Sequence, residues 1–215
     1  MAEVTVVEPD APASGRGGFW GVISFWGLHA WIFAYSFVML SAFFIQFVEG
    51  EFPCPLCMLQ RYGMILSTAG ALLIVMQARR GTLTTSRYSQ GLGMGLLGAL
   101  VGGAEVSVRQ ILLHIKPGDP GYGAPVLGLH LYTWALITFV IVIVYCGVRL
   151  ILQPRGIPQA PPRGSALWTV STVIIWIFIG VVAANVVAIV FLEGFAWVLP
   201  DDPTSYNLID QIRGR

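Results

Sequence analysis

The sequence predicts an all-α protein, a polytopic bundle of membrane-spanning helices. Three observations predict it. Of 215 residues, 56% are hydrophobic and only 11% charged, against roughly 25% charged in ordinary soluble domains. Mean hydropathy is +0.75, and twelve Lys and Arg with eleven Asp and Glu are too few to give a globule of this size a polar skin, so lipid must cover the remainder. The predominantly apolar stretches fall into five runs, each near or somewhat above the roughly 20 residues that cross a bilayer. A net charge of +1 with no basic cluster argues against a nucleic-acid binder, which needs a concentrated phosphate-facing patch.

Residues 1–19 contain Glu3, Glu8 and Asp10 and no basic region ahead of a short apolar core, so they are expected to be a disordered tail rather than a cleavable signal peptide. The first span is expected at residues 24–48, with His29 as a packing residue, and the second at 58–77. The third, at 90–115, carries Gly91, Gly95, Gly98 and Gly102, small-xxx-small steps that admit a close helix neighbour. The fourth, at 126–149, holds Cys146, a small hydrophobe too deep to meet the other cysteines. The Pro- and Gly-rich stretch QPRGIPQAPPRG separates it from the fifth, at 166–191, and suggests a loosely attached fifth helix. Residues 193–215 form a tail.

Orientation follows from Lys and Arg, which accumulate in cytoplasmic loops. With the N-terminus inside, the cytoplasmic side receives Arg16, Arg79, Arg80, Arg87, Arg149, Arg155 and Arg163. The outer side holds Lys116, Arg213 and Arg215 among the acidic residues Glu49, Glu51, Asp119, Glu193, Asp201, Asp202 and Asp210. Trp20, Trp26, Trp134, Trp168 and Trp197 lie toward span ends, as an interfacial belt rather than stacking sites.

Two of the three cysteines form Cys54-Pro55-Leu56-Cys57 where the first outer loop enters the second span. A helix N-terminus favours thiolate over thiol, and the outer face is where oxidised thiols persist. A redox role follows. A zinc site would need a second ligand pair, which does not follow; covalent haem needs His where Met58 stands. A purely structural disulfide here would close too small a loop to stabilise much. Arg61 lies four residues beyond Cys57, on the same helix face about 6 Å deeper. It could stabilise the Cys57 thiolate or polarise a carbonyl of a bound electron acceptor; the plain alternative is snorkelling to headgroups.

The string PCPLCMLQRYGM on the second span resembles the disulfide bond formation protein B (DsbB) family of quinone-dependent membrane thiol oxidases. VRQILLHIKPGDP at the outer end of the third span and the four-span layout over about residues 20–152 resemble it too. The resemblance implies a four-helix core at 20–152 carrying the redox pair, in a bacterial inner membrane; the cytoplasmic linker at 153–165, the fifth helix at 166–192 and the periplasmic tail at 193–215, read from the residues, are additional to the family's common pattern. It implies ubiquinone or menaquinone as acceptor, with no metal or haem. Cys57 would react with quinone, Cys54 would exchange with incoming thiols, and Arg61 would be the quinone-side cation, with Gln110 and His114 near the quinone. The implied partner is a periplasmic thioredoxin-like, DsbA-like thiol oxidase or another thiol protein.

The family normally has a second cysteine pair between its third and fourth spans. Here that loop reads KPGDPGYGAP. Either a partner thiolate attacks the Cys54–Cys57 disulfide directly, or another polypeptide supplies the missing pair, or the protein no longer serves that partner. Glu105 and Arg109, four apart, fit an intrahelical ion pair; alternatively Glu105 faces the site and passes protons, with His114 and His130 delivering them from the outer loop. Besides the enzyme, two readings remain: a noncatalytic accessory or assembly subunit of a larger membrane complex, and a reductase running the exchange backwards.

Overall fold

Apolar runs bounded by capping residues become helices in the computed structural model, which describes residues 18–123, 125–152, 156–196 and 203–214. The expected N-terminal tail up to residue 17, Arg16 included, lies outside the described residues, as do Arg155, Trp197, Asp201, Asp202 and Arg215. Helix α1 (Gly18–Phe44) runs on into a π-helical turn at Ile45–Glu49. Helix α2 is Pro55–Arg80. The third span comprises α3 (Thr85–Leu97), a π-helical stretch at Gly98–Ala104 and α4 (Glu105–Leu113). Helices α5 (Leu131–Ile151), α6 (Ala166–Glu193) and the short α7 (Asn207–Ile212) complete the chain. Among the described residues, five helical stretches are long and apolar enough to cross a membrane: Gly18–Glu49, Pro55–Arg80, Thr85–Leu113, Leu131–Ile151 and Ala166–Glu193. The protein is an all-α, multi-pass membrane protein.

The fourth span begins at Leu131 and not at 126. Val126 and Leu129 exchange backbone hydrogen bonds at 2.8 and 3.1 Å around a turn whose two central residues, Leu127 and Gly128, both have positive φ. That turn and Pro125 before it keep the chain non-helical until His130.

Helix α2 is central, packed on α1, α3 and the π-helical stretch. The glycines expected to admit a neighbour do so. A Cβ at Gly98 would fall on the Ser67 backbone, and one at Gly95 on the Trp31 ring. The partner helix contributes its own: Gly63 lies against Gly102, and Gly70 against Gly91 and Gly95. Around this seam Phe25, Leu28, Tyr88 and Phe139 are fully buried.

The fifth spanning helix is not loosely attached. His29, buried as expected, has Nδ1 2.9 Å from the Phe25 carbonyl and Nε2 2.8 Å from Ser171 Oγ. Arg79 donates to Ser171 Oγ at 2.6 Å and to Thr172 Oγ1 at 2.7 Å. A guanidinium only donates, so the Ser171 hydroxyl proton goes to His29 Nε2 and the Nδ1 proton to Phe25. The Arg79 guanidinium also lies 3.9 Å from the Trp168 ring centroid, so Trp168 is a stacking partner and not merely a belt residue. In the linker, Gln159 N–H donates to Gly21 O at 3.2 Å and Arg149 to Gly156 O at 2.6 Å. These bonds dock a Pro-rich stretch whose composition alone reads as free.

At the other end the C-terminal segment folds back. The Phe195 N–H donates to Gln211 Oε1 at 2.8 Å, Leu208 is buried, and the Tyr206 ring meets Phe52 edge-on at 5.0 Å.

Candidate redox site

Pro55 sets the geometry of the cysteine pair. It occupies the first turn of α2, where its missing N–H costs nothing, and it forces the preceding residue out of helical conformation. Cys54 accordingly is extended, with φ −69° and ψ 162°, and acts as the N-cap, its Sγ accepting the Cys57 N–H at 3.2 Å. A sulfur thus takes the place of the usual Ser or Asp oxygen. The Cα atoms are 5.1 Å apart and the two sulfurs are paired as a disulfide. Cys54 is 6% exposed, whereas Cys57 is half-buried.

Only Cys57 of the pair lines the neighbouring cavity, of about 420 Å³. Its walls are apolar: Phe37 and Ile45 from the first span, Phe52 from the loop, Leu131 and Trp134 from α5. Cys57, Gln60, Arg61 and Glu51 give it a polar side. Arg61 is 6% exposed, so it points inward and does not snorkel. Its Nη1 donates to Gln46 Oε1 at 3.0 Å, and its guanidinium carbon lies 5.3 Å from the Phe43 ring centroid. Among the described residues no carboxylate pairs with it, and the ion pair found is His114–Asp119.

The model of the family "Disulfide bond formation protein DsbB" matches residues 24–123. Disulfide bond formation protein B 1 of Pseudomonas fluorescens is 32% identical over 143 residues, covering 54% of this chain and 79% of the relative. The chain belongs to the DsbB family. Disulfide bond formation protein B of Chromobacterium violaceum is 41% identical over 78 residues, 36% of this chain and 44% of the relative. That of Burkholderia pseudomallei is 25% identical over 154 residues, 55% and 84%. No solved structure matches the chain.

In this DsbB-family chain the remaining candidates separate into two groups. Gln110 is brought to the pair: 1% exposed, it has Nε2 at 3.4 Å from Cys54 Sγ and 3.7 Å from Cys57 Sγ. It stands at the sulfurs and does not line the cavity. His114 is not brought in. It is bound to Asp119 Oδ1 at 3.0 Å and stacks on Tyr132 at 5.8 Å, outside the cavity. His130 lies 3.1 Å from Gly123 O and stacks on Tyr132 from 5.2 Å, with Tyr132 itself lining the cavity. The Gly121 N–H and the His114 ring beside it hold the Asp119 carboxyl below the usual carboxylate range.

Glu105 and Arg109 form no ion pair. Both are exposed on the outward face of α4, and Glu105 does not line the cavity. Arg109 is one turn from the C-terminal end of α4, and near a span end headgroups or water can solvate a charge, which leaves an exposed pairing worth little.

Sequence reading missed three residues. Gln60 immediately precedes Arg61 and is 6% exposed; an amide inside a span costs free energy unless it is hydrogen-bonded, and that signal was available. Glu51 lines the cavity mouth. Gln46, 3% exposed, faces inward from the π-helical turn, and a π turn shifts the register that 3.6-residue periodicity assumes.

Proposed function

We propose that this chain is a membrane thiol:quinone oxidoreductase that forms disulfides at the periplasmic face of a bacterial inner membrane and passes electrons from Cys54 and Cys57 to ubiquinone or menaquinone. The observation that carries the reading is the apolar cavity in which half-buried Cys57 meets a buried Arg61 that makes no ion pair among the described residues. Alternation of the spans puts Arg79, Arg80, Arg87, Arg149 and Arg163 at the end opposite the pair, which supports a cytoplasmic N-terminus and a periplasmic redox site.

The exchange proceeds from sulfur to sulfur. A partner thiolate attacks Cys54 Sγ, and the broken disulfide leaves its electron pair on Cys57 Sγ beside the cavity. A second partner thiolate then attacks the partner sulfur of the mixed disulfide and expels Cys54. The chain has no cysteine pair in the α4–α5 loop, so a thioredoxin-like or other thiol protein exchanges with Cys54 directly. At 6% exposure, Cys54 must be uncovered as that partner docks.

A bound quinone supplies a two-electron, two-proton acceptor. Arg61, held by Gln46 and Phe43, would hold such an acceptor through its guanidinium and stabilise the negative charge that reduction brings, and the apolar walls would exclude water. Purified protein assayed for quinone reduction by dithiols tests the proposal. Thiol-dependent reduction that disappears in the double Cys54→Ser, Cys57→Ser variant is expected. If that double variant supports the cell as wild type does, redox catalysis is not the function and an accessory role is.

A further inference from the structure

The Gln110 carboxamide is fixed at both ends. Its Nε2 faces the two sulfurs at 3.4 and 3.7 Å, and its Oε1 accepts the Gln60 side-chain N–H at 2.9 Å. Both glutamines are buried, Gln60 at 6% and Gln110 at 1% exposure. We propose that Gln60 and Gln110 form a buried amide relay that stabilises thiolate charge on whichever sulfur of the pair is leaving. Gln110 is the donor in contact, and Gln60 is its positioning residue. The inference rests on the thiol-exchange reading above.

A disulfide sulfur is a weak acceptor, whereas a thiolate forms a charge-assisted hydrogen bond. The contact therefore strengthens as charge develops. When a partner thiolate bonds to Cys54 Sγ, the Sγ–Sγ electron pair passes to Cys57; when the mixed disulfide resolves, it is Cys54 that departs as thiolate. An NH₂ group carries two protons and lies near both sulfurs, so one amide serves both departures. A buried thiolate without a donor would be costly. Gln60 matters because its donation occupies Gln110 Oε1. Without it the amide can rotate and present oxygen, an acceptor, to the developing charge.

Among the described residues, the other charged or titratable groups near the pair are Arg61 of α2, Glu51 of the preceding loop, and Tyr122 and Tyr132, all lining the cavity beside Cys57, with Tyr206 across Phe52. All stay unchanged in the variants below.

The test uses the full chain in detergent with Cys54→Ser, which leaves Cys57 as the reactive thiol because Cys146 is buried. The rate of iodoacetamide alkylation is followed against pH with no quinone or partner added. Gln110→Leu should raise the apparent Cys57 pKa by about one unit, roughly a tenfold slower reaction at neutral pH. Gln60→Leu, which touches neither sulfur, should move the profile in the same direction by less. A merely structural role would lower the melting temperature and leave the profile in place. Unmoved profiles in both variants overturn the relay, and if Gln110→Leu does not accumulate, Gln60→Leu decides alone. Failure of the wild-type chain to reduce quinone with dithiols would instead overturn the functional reading, whatever the alkylation profile does.

Discussion

Arg61 and Gln46 meet between the first two spans, Nη1 donating to Oε1 at 3.0 Å, because the π-helical turn at Ile45–Glu49 swings Gln46 inward. The bond leaves the rest of the guanidinium fork available to the cavity. Lysine offers a point charge without that planar fork. Arg61→Lys should therefore insert and fold with little change in thermal stability, yet raise the quinone KM or slow turnover by about 1 to 3 kcal/mol of lost stabilisation. Gln46→Leu, which keeps the cation but releases its anchor, should shift the same kinetics by less. Wild-type quinone kinetics in Arg61→Lys would take Arg61 out of the reaction.

The unequal placement of the cysteines gives a second prediction. Cys57 lines the cavity and Cys54 does not. With Cys54→Ser, the remaining Cys57 sulfur stands beside the cavity, and if quinone binds there as proposed, quinone-loaded protein should show a visible charge-transfer band. Cys57→Ser should show none. Both variants should lose thiol-dependent quinone reduction. A band in Cys57→Ser and not in Cys54→Ser would exchange the assigned roles.

Five spans, the cysteine pair at a helix start and the glycine face of the third span were legible because each rests on a local rule: length of apolar run, proline at the first helical position, small residues four apart. Gln110 was legible only through family resemblance, and its contact with both sulfurs was not legible at all, since it joins residues more than fifty positions apart. Gln46 was hidden by the π turn. Glu105 and Arg109 misled because a four-residue spacing permits an ion pair without requiring one. The linker misled because Pro and Gly content reports what a chain lacks, whereas its docking depends on Gly21 and Arg149, which are distant in sequence.

The α2–α3 seam predicts opposite outcomes for two alanine substitutions. At Gly70 a Cβ would fall on the Gly91 carbonyl and the Gly95 backbone, which cannot give way as a flexible side chain would. At Gly93, in the same helix as Gly95, a Cβ meets nothing within 4 Å. Gly70→Ala should separate the helices and lower the unfolding midpoint in detergent by several degrees or prevent accumulation. Gly93→Ala should be neutral or stabilising by up to about 1 kcal/mol, the helical advantage of Ala over Gly. Equal melting of the two would mean that this seam does not hold the bundle.

Attachment of the fifth spanning helix turns on Ser171, whose hydroxyl accepts from Arg79 and donates to His29. In Ser171→Ala both groups lose a partner at once. His29 is 1% exposed, so its Nε2 finds no water in exchange, and a buried polar atom left without a partner costs about 1 to 3 kcal/mol. Arg79 keeps Thr172 and the Trp168 face, so Thr172→Val should cost less than Ser171→Ala, and the double substitution more than either. Trp168→Leu, which removes the ring beneath the guanidinium, should add a further loss on the order of 1 kcal/mol. The measurement pairs the unfolding midpoint with protease cleavage in residues 156–165, because a helix that loosens from α1 also releases the linker bonded to Gly21. A helix held only by lipid and a free linker would melt and cleave alike in wild type and all four variants; graded destabilisation with faster cleavage is the outcome these bonds require.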